Sequence, residues 1–404
     1  MAKLGDVCSY ITDGSHNPPQ GLGNSDYYML SSKNIDDDRI TLESPRYLSP
    51  VDFESENKRT QIASGDLLMT IVGTIGRVAI VSEDMPPFCV QRSVAVIKSR
   101  NDIIFNRFLM YQLQSMRSYL EKESRGVAQK GIYLKQLTNL SIMVPAMTEQ
   151  KYIANVLDRV SYLITMRKQQ FDKLDELVKA RFVEMFGDLV TNQHGFMVAP
   201  LQQLIDEGLI TYHLDGNHGG DYPRSEEFTP EGVPYIGANC IADGRIDFTL
   251  AKHLPLERAN KLRKGIAQNG DVLFAHNATV GPVVMLTTNE PKVILSTSLT
   301  AYRCDHSQIN PYYLRSYMES DSFVNQYSSE MKQTTRNQVP ITAQKKYLFM
   351  VPPIELQEQF ASFVEQTDKS KLTIQQGLDK LETMKKALMQ QYFGGGKQNG
   401  YDAL

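Results

Sequence analysis

The chain has 404 residues, 43 Lys+Arg against 46 Asp+Glu for a formal charge of −3, and 41% hydrophobic residues. That length sets a prior of two or three domains, and the slightly acidic balance excludes a non-specific nucleic-acid coat, which needs a basic excess. No signal peptide and no apolar run of about 18 residues is recognisable, which argues for a cytoplasmic protein outside any membrane.

Taken in chain order, residues 1–147 read as a mixed α and β globular stretch. Residues 65–81 (GDLLMTIVGTIGRVAIV) form a hairpin-like β run with turn glycines at Gly73 and Gly76. A helical pattern follows over 105–119, then a polar loop over 125–131 (RGVAQKG). Residues 148–187 read as one long helix. Leu157, Ile164, Phe171, Val178 and Met185 recur every seven residues, with Ile153, Val160 and Leu174 on the alternate seam and Arg167 and Arg181 interrupting it.

Residues 188–353 form a second globular stretch, with a β run over 271–286, a helical pattern over 311–327 and a polar loop over 332–338 (KQTTRNQ). Residues 354–393 are a second long helix. Phe360, Thr367, Ile374, Leu381 and Leu388 lie on one seam, and Val364, Lys371, Leu378, Lys385 and Tyr392 on the other. A Gly-rich tail occupies 394–404. Pro145 and Pro352-Pro353 precede the helices, and Gly187 and Gly394 stop them. The order domain, helix, domain, helix favours antiparallel pairing, and the different polar interruptions favour pairing of the two helices with each other. The helix-pairing residues are Leu157, Ile164, Phe171, Leu174, Val178, Phe360, Ile374, Leu378, Leu381 and Leu388.

The halves are copies. Gly65-Asp66-Leu67-Leu68 returns as Gly270-Asp271-Val272-Leu273, Thr74-Ile75-Gly76 as Thr279-Val280-Gly281, Val144-Pro145 with Gln150 as Val351-Pro352 with Gln357, and Phe186-Gly187 as Phe393-Gly394. Matching blocks in one order at nearly constant offset are an internal duplication.

The polar loops hold the residue types that read base edges and phosphates, Arg for guanine, Asn or Gln for adenine and Lys for phosphate. As solvated loops they would be unremarkable; their recurrence at equivalent places in both halves favours function. No pair of histidines has metal-ligand spacing with a carboxylate, and His16, His213, His218, His253 and His276 are read either as loop histidines near DNA or as surface histidines. The scattered Cys8, Cys89, Cys240 and Cys304 read as unpaired thiols. Asp66 and Asp271 are read as turn-capping rather than catalytic. Asn17-Pro18-Pro19-Gln20 lacks the aromatic ring of an amino-methyltransferase motif, and no Gly-rich cofactor turn occurs. Asn310-Pro311 reads as a helix start.

The architecture, together with GDLLMTIVGTIGRVAIV, GVAQKGIYLKQLTNLSIMVP and the helix opening TEQKYIANVLD, resembles the DNA-specificity (S) subunit of Type I restriction-modification systems. The resemblance implies an α+β fold in which two mixed α/β target recognition domains are separated by two long antiparallel coiled-coil-like helices with an internal pseudo-twofold repeat. It implies that each domain reads one half of a bipartite asymmetric site in double-stranded DNA, and that the helices set the gap and dock two modification subunits, with restriction subunits joining the full complex. No cofactor is expected on this chain. S-adenosylmethionine, ATP and Mg2+ are expected in the partner subunits, which would carry adenine N6 methylation and cleavage. No catalytic or metal-binding residue is assigned. The expected DNA-binding residues are Ser15, His16, Asn17, Lys33, Thr74, Arg77, Arg92, Arg125, Gln129, Lys130 and Tyr133 in the first domain. In the second they are Asn217, His218, His276, Asn277, Thr279, Lys332, Thr334, Thr335, Arg336 and Asn337. Two rival readings are a non-catalytic protein-binding scaffold and the recognition region of a fused restriction-methylation system; sequence-dependent DNA binding separates the first from the rest.

Overall fold

The computed structural model describes residues 1–124, 131–242, 244–331 and 337–394. The chain divides into two compact units, one formed by Met1–Lys168 with the segment from Gln376 onward, the other by Gln169–Gln375.

In the first unit the β run folds as a hairpin, Leu67–Thr70 pairing antiparallel with Val78–Ile80. Gly73 and Gly76 turn it at φ +82°, a region that a Cβ makes costly. The hairpin completes a four-stranded antiparallel sheet in the order Cys8–Asp13, Val94–Ser99, Leu67–Thr70, Val78–Ile80. Successive side chains alternate between faces. Leu67, Met69 and Ile97 join a core with Phe108 and Tyr111 of helix Asn106–Ser115, while Leu68, Val94 and Val96 join a core with Leu30 and Phe88 of a small second sheet. Both faces are therefore covered, and the strands read as continuous apolar runs.

The second unit repeats this sheet in the order Ile210–Asp215, Leu299–Cys304, Val272–Ala275, Val283–Met285. Even the register is kept: the Leu67↔Ile97 pair returns as Val272↔Tyr302. The stretch expected as one helical pattern after this sheet is two helices, Pro311–Glu319 and Asp321–Met331, because Ser320 between them is extended at ψ 154°. The equivalent stretch of the first unit likewise breaks into Asn106–Ser115 and Arg117–Glu123.

The long helices are Met147–Phe186 and Ile354–Phe393, forty residues each. Gly187 ends the first at φ +68°, its N–H reaching the Val183 carbonyl at 2.8 Å. Each helix gives one half to each unit. In the first unit Ile153, Ala154 and Leu157 are buried in the core on which Leu388, Met389, Tyr392 and Phe393 also pack, and Lys168 pairs with Glu382 at 3.2 Å. In the second, the rings of Phe182 and Phe186 each lie 5.5 Å from that of Phe360, while Lys371 pairs with Asp175 and sits over the Phe171 ring. Within each unit the segments run antiparallel. Of the expected pairing residues, Leu157, Phe360 and Leu378 are buried, and Ile164, Phe171, Leu174, Val178, Ile374, Leu381 and Leu388 are half-buried.

All four cysteines are buried and free, and burial pushes the Cys8 and Cys89 thiols up to about 12. Among the described residues no helix is long and apolar enough to cross a membrane.

Candidate nucleic-acid interface

Each large sheet begins with a strand that ends in the same four-residue unit, Asp-Gly-x-His. In the first unit, strand Cys8–Asp13 delivers Asp13, whose Oδ2 lies 2.8 Å from Nε2 of His16. In the second, strand Ile210–Asp215 delivers Asp215, whose Oδ2 lies 2.7 Å from Nε2 of His218. The glycine between is obligatory on spatial grounds. A Cβ on Gly14 would stand 1.8 Å from the Val90 carbonyl oxygen, and one on Gly216 would stand 2.5 Å from that of Leu295. The crossing strand thus presses the turn flat and fixes where the histidine emerges. The carboxylates are sunk, with side chains 11% and 13% exposed, whereas the imidazoles project, at 53% and 58%.

In the first unit an arginine joins the carboxylate. Arg59 Nη2 reaches Asp13 Oδ1 at 2.5 Å and its Nε donates to Thr12 Oγ1 at 3.0 Å. Asp13, His16 and Arg59 share an open cleft of about 620 Å³ with Arg92, Gly131 and Tyr133. Arg92 is exposed, its backbone N–H held by the Ser15 carbonyl at 2.9 Å, and the Tyr133 ring is largely solvent-facing. The cleft therefore gathers His16, Arg92 and Tyr133 from distant stretches. Its wall is pinned where Val72 bridges to Gly131 and the Ile132 N–H reaches the Ile71 carbonyl. Arg125, Gln129 and Lys130 lie outside the described residues.

Other expected contacts of this unit stand apart from the cleft lining. Lys33 donates to the Ser44 carbonyl at 2.7 Å, and Arg77 stands 3.8 Å from Asp36. Thr74 is exposed in the hairpin turn, Asn17 is exposed, and Ser15 is half-buried with its backbone committed to Val90 and Arg92.

The second unit corrects three expectations. Asn217 is buried and spans Lys264, donating to its carbonyl at 2.7 Å and accepting from its N–H at 3.4 Å, so both ends of its amide are engaged within the fold. His276 is buried against the Val339 carbonyl at 3.0 Å, with Nε2 unpartnered. His213 is buried too, its Nε2 3.1 Å from Gln344 Oε1, an oxygen that also accepts from the Tyr302 hydroxyl at 2.6 Å. Burial holds the His213 imidazole down at about 4 and lowers His276 as well. His276 and His213 read as polar-stretch histidines in sequence because the groups that receive them, the Val339 carbonyl and the Gln344 side chain, lie far along the chain.

Of the remaining positions, Thr279 and Asn337 are exposed, and the half-buried Asn277 bridges to Gln338. Lys332, Thr334, Thr335 and Arg336 lie outside the described residues. Asp66 and Asp271 are structural as expected. Asp66 accepts from the Ala63 N–H at 2.9 Å and pairs with Lys98, while Asp271 accepts from the Gln268 N–H at 2.9 Å and from Arg303 through both oxygens. The Asn310 side chain caps the helix at Pro311 by accepting from the Tyr312 N–H. Among the described residues no group of three or more His, Cys, Asp or Glu could hold a metal ion.

His16 and His218 are among the residues expected from the sequence, whereas the aspartates that hold them and Arg59 are not. The Asp-Gly-x-His string at 13–16 and 215–218 was the available signal.

The model of the Type I restriction modification DNA specificity domain matches residues 1–176 and 213–383. The specificity subunit of the Type I restriction enzyme MjaVIII of Methanocaldococcus jannaschii is 22% identical over 232 residues, 55% of this chain and 52% of that relative. That of the EcoBI enzyme of Escherichia coli is 34% identical over 138 residues, 33% and 29% of the two chains. The chain thus spans about half the length of the first relative and less of the second. The crystal structure of a Type I restriction-modification S subunit from M. genitalium has the same fold, with a TM-score of 0.55 at 14% identity over 96% of this chain and 94% of that one.

Proposed function

The chain belongs to the Type I restriction modification DNA specificity family, and from that premise we propose that it is the non-catalytic, cytoplasmic recognition subunit of a restriction-modification complex, each unit reading one half of a bipartite DNA site. The observation that carries this reading is that two units with the same strand order and register present differently furnished surfaces. The first sets Arg92 and Tyr133 beside its Asp-Gly-x-His turn, whereas the second exposes Thr279 and Asn337 near the Asn277 to Gln338 bridge. One scaffold with two sets of base-reading donors and acceptors suits an asymmetric target. A chain of net charge −3 needs such local cationic and donor patches to approach phosphate.

Catalysis belongs, in this reading, to partner subunits that bring S-adenosylmethionine, ATP and Mg2+. Large apolar side chains left exposed on the long helices support docking of two modification subunits there: Tyr152, Tyr162 and Leu163 in the first unit, Leu177, Val183 and Leu372 in the second.

The test pairs the purified chain with its modification subunit. Adenine methylation of a defined bipartite sequence is expected from the complex, mapped by sequencing methylated genomic DNA, and no methyl transfer from labelled S-adenosylmethionine is expected from the chain alone. Methyl transfer by the isolated chain, or a complex that binds DNA without sequence preference, would overturn the proposal.

A further inference from the structure

The two Asp-Gly-x-His turns are the same device in two units whose exposed surfaces otherwise differ. The aspartate, the glycine and the histidine are common to both, while the residues around them are not: Ser15, Asn17 and Pro18 in one, Asn217, Gly219 and Gly220 in the other. Two units reading different bases share one thing in their half-sites, the phosphate backbone. Contacts that recur unchanged therefore suit phosphate, and contacts that differ suit bases. Building on the DNA-recognition reading above, we propose that Asp13–His16 and Asp215–His218 are matched phosphate clamps, in which the sunken carboxylate is a positioning residue and the projecting imidazole is the group that touches DNA.

The geometry assigns the parts. With Nε2 held by the carboxylate, Nδ1 is the ring nitrogen left to act outward; in the neutral ring it only accepts, so it donates to phosphate as the imidazolium, the form that a carboxylate on one side and a phosphate on the other both favour. The carboxylate lies beneath the ring, where Asp13 is paired with Arg59 and bonded to His16, and Asp215 is bonded to His218, whose imidazolium form offsets its charge. Each turn also has a second basic residue after the small helix that precedes the hairpin. Arg59, with half its side chain exposed, bonds Asp13 directly, and the exposed Lys264 is tied through its backbone to Asn217, the neighbour of His218. Gly14 and Gly216, locked by the crossing strand, make the position of each imidazole a property of the sheet.

The experiment uses the complex of the full chain with its modification subunit and the duplex defined by methylation mapping. His16→Ala and His218→Ala are each expected to weaken binding roughly tenfold, the effect of losing one charge-assisted hydrogen bond. Each should also reduce the slope of log affinity against log salt by about 0.9, one phosphate's worth, with the methylated sequence unchanged. Asp13→Asn and Asp215→Asn should act in the same direction, with thermal unfolding of the exposed-histidine variants unmoved. Scanning each half-site with single neutral methylphosphonates should find one phosphate whose neutralisation costs wild type the same amount and His16→Ala nothing further. An altered target sequence in His16→Ala would make the histidine a base reader. Unchanged affinity and salt slope would make the pair a strand cap, and either result overturns the clamp. If wild type itself shows no sequence-dependent binding, the DNA reading fails instead, so the two failures are distinguishable.

Discussion

Gln357 does in the second unit what Gln150 does in the first. Gln150 accepts from the Phe105 N–H at 2.8 Å and donates to the carbonyls of Ile103 and Pro145, and Gln357 accepts from the Asn310 N–H at 2.9 Å and donates to those of Gln308 and Pro352. Both side chains are buried. Each glutamine joins the first turn of a long helix to the loop that opens the short helix beneath it, satisfying three backbone groups at once.

Gln357→Leu keeps the volume but orphans those groups. At roughly 1–3 kcal/mol for a buried polar group left unpaired, it should destabilise the second unit by about 3 kcal/mol, and Gln150→Leu the first by a similar amount. Denaturant unfolding with unit-resolved hydrogen exchange checks this; a loss confined to less than about 0.5 kcal/mol would mean that water replaces the amide.

Asp271 is almost wholly buried under the two-point contact of Arg303, whose guanidinium also stacks over Tyr212 at 4.7 Å. Removing one partner of a buried pair leaves an uncompensated charge, so Asp271→Ala should cost about 3–5 kcal/mol. In the first unit Lys98 takes the place of Arg303 and Asp66 that of Asp271, and the carboxylate is less deeply buried, its side chain 11% exposed against 1% for Asp271. Asp66→Ala should therefore cost distinctly less, as thermal melts of the two variants would show.

Acid should unfold the second unit before the first. Burial lowers His213 to about 4 from an unfolded value near 6.5. Its contribution to stability is thus fully present above about pH 6.5 and is lost as pH falls towards 4, reaching about 3 kcal/mol there. His276, also lowered by burial, adds in the same sense. Ile11 and Ile71 occupy the corresponding places in the first unit. Hydrogen exchange between pH 7 and 4.5 should show the second unit opening first, and His213→Ile should flatten that dependence; equal acid sensitivity of the two units would contradict it.

The two surfaces should be separable. Arg92→Ala or Tyr133→Ala is expected to weaken or relax one half-site by about 1–3 kcal/mol per base contact, and Asn337→Ala the other. Methylation mapping of each variant checks the assignment, and a first-unit substitution that altered both half-sites would refute independent reading.

The amino-acid sequence by itself determined everything that is periodic or repeated. The hairpin with Gly73 and Gly76, the forty-residue helices with their heptad seams, the Asn310 helix start and the turn role of Asp66 and Asp271 all follow from local rules, because neighbours a few residues apart decide them. What only the tertiary structure decided is which polar residues face solvent and what holds them. His276 and Asn217 turn inward because the Val339 and Lys264 backbones need them as partners. His16 and His218 turn outward because a strand crossing at Val90 or Leu295 flattens a glycine and sets a sunken aspartate against each ring. The division of each long helix between two units has the same origin. A heptad seam specifies that a face will be buried, and the partner that buries it lies some two hundred residues away, where only the folded chain brings it within contact.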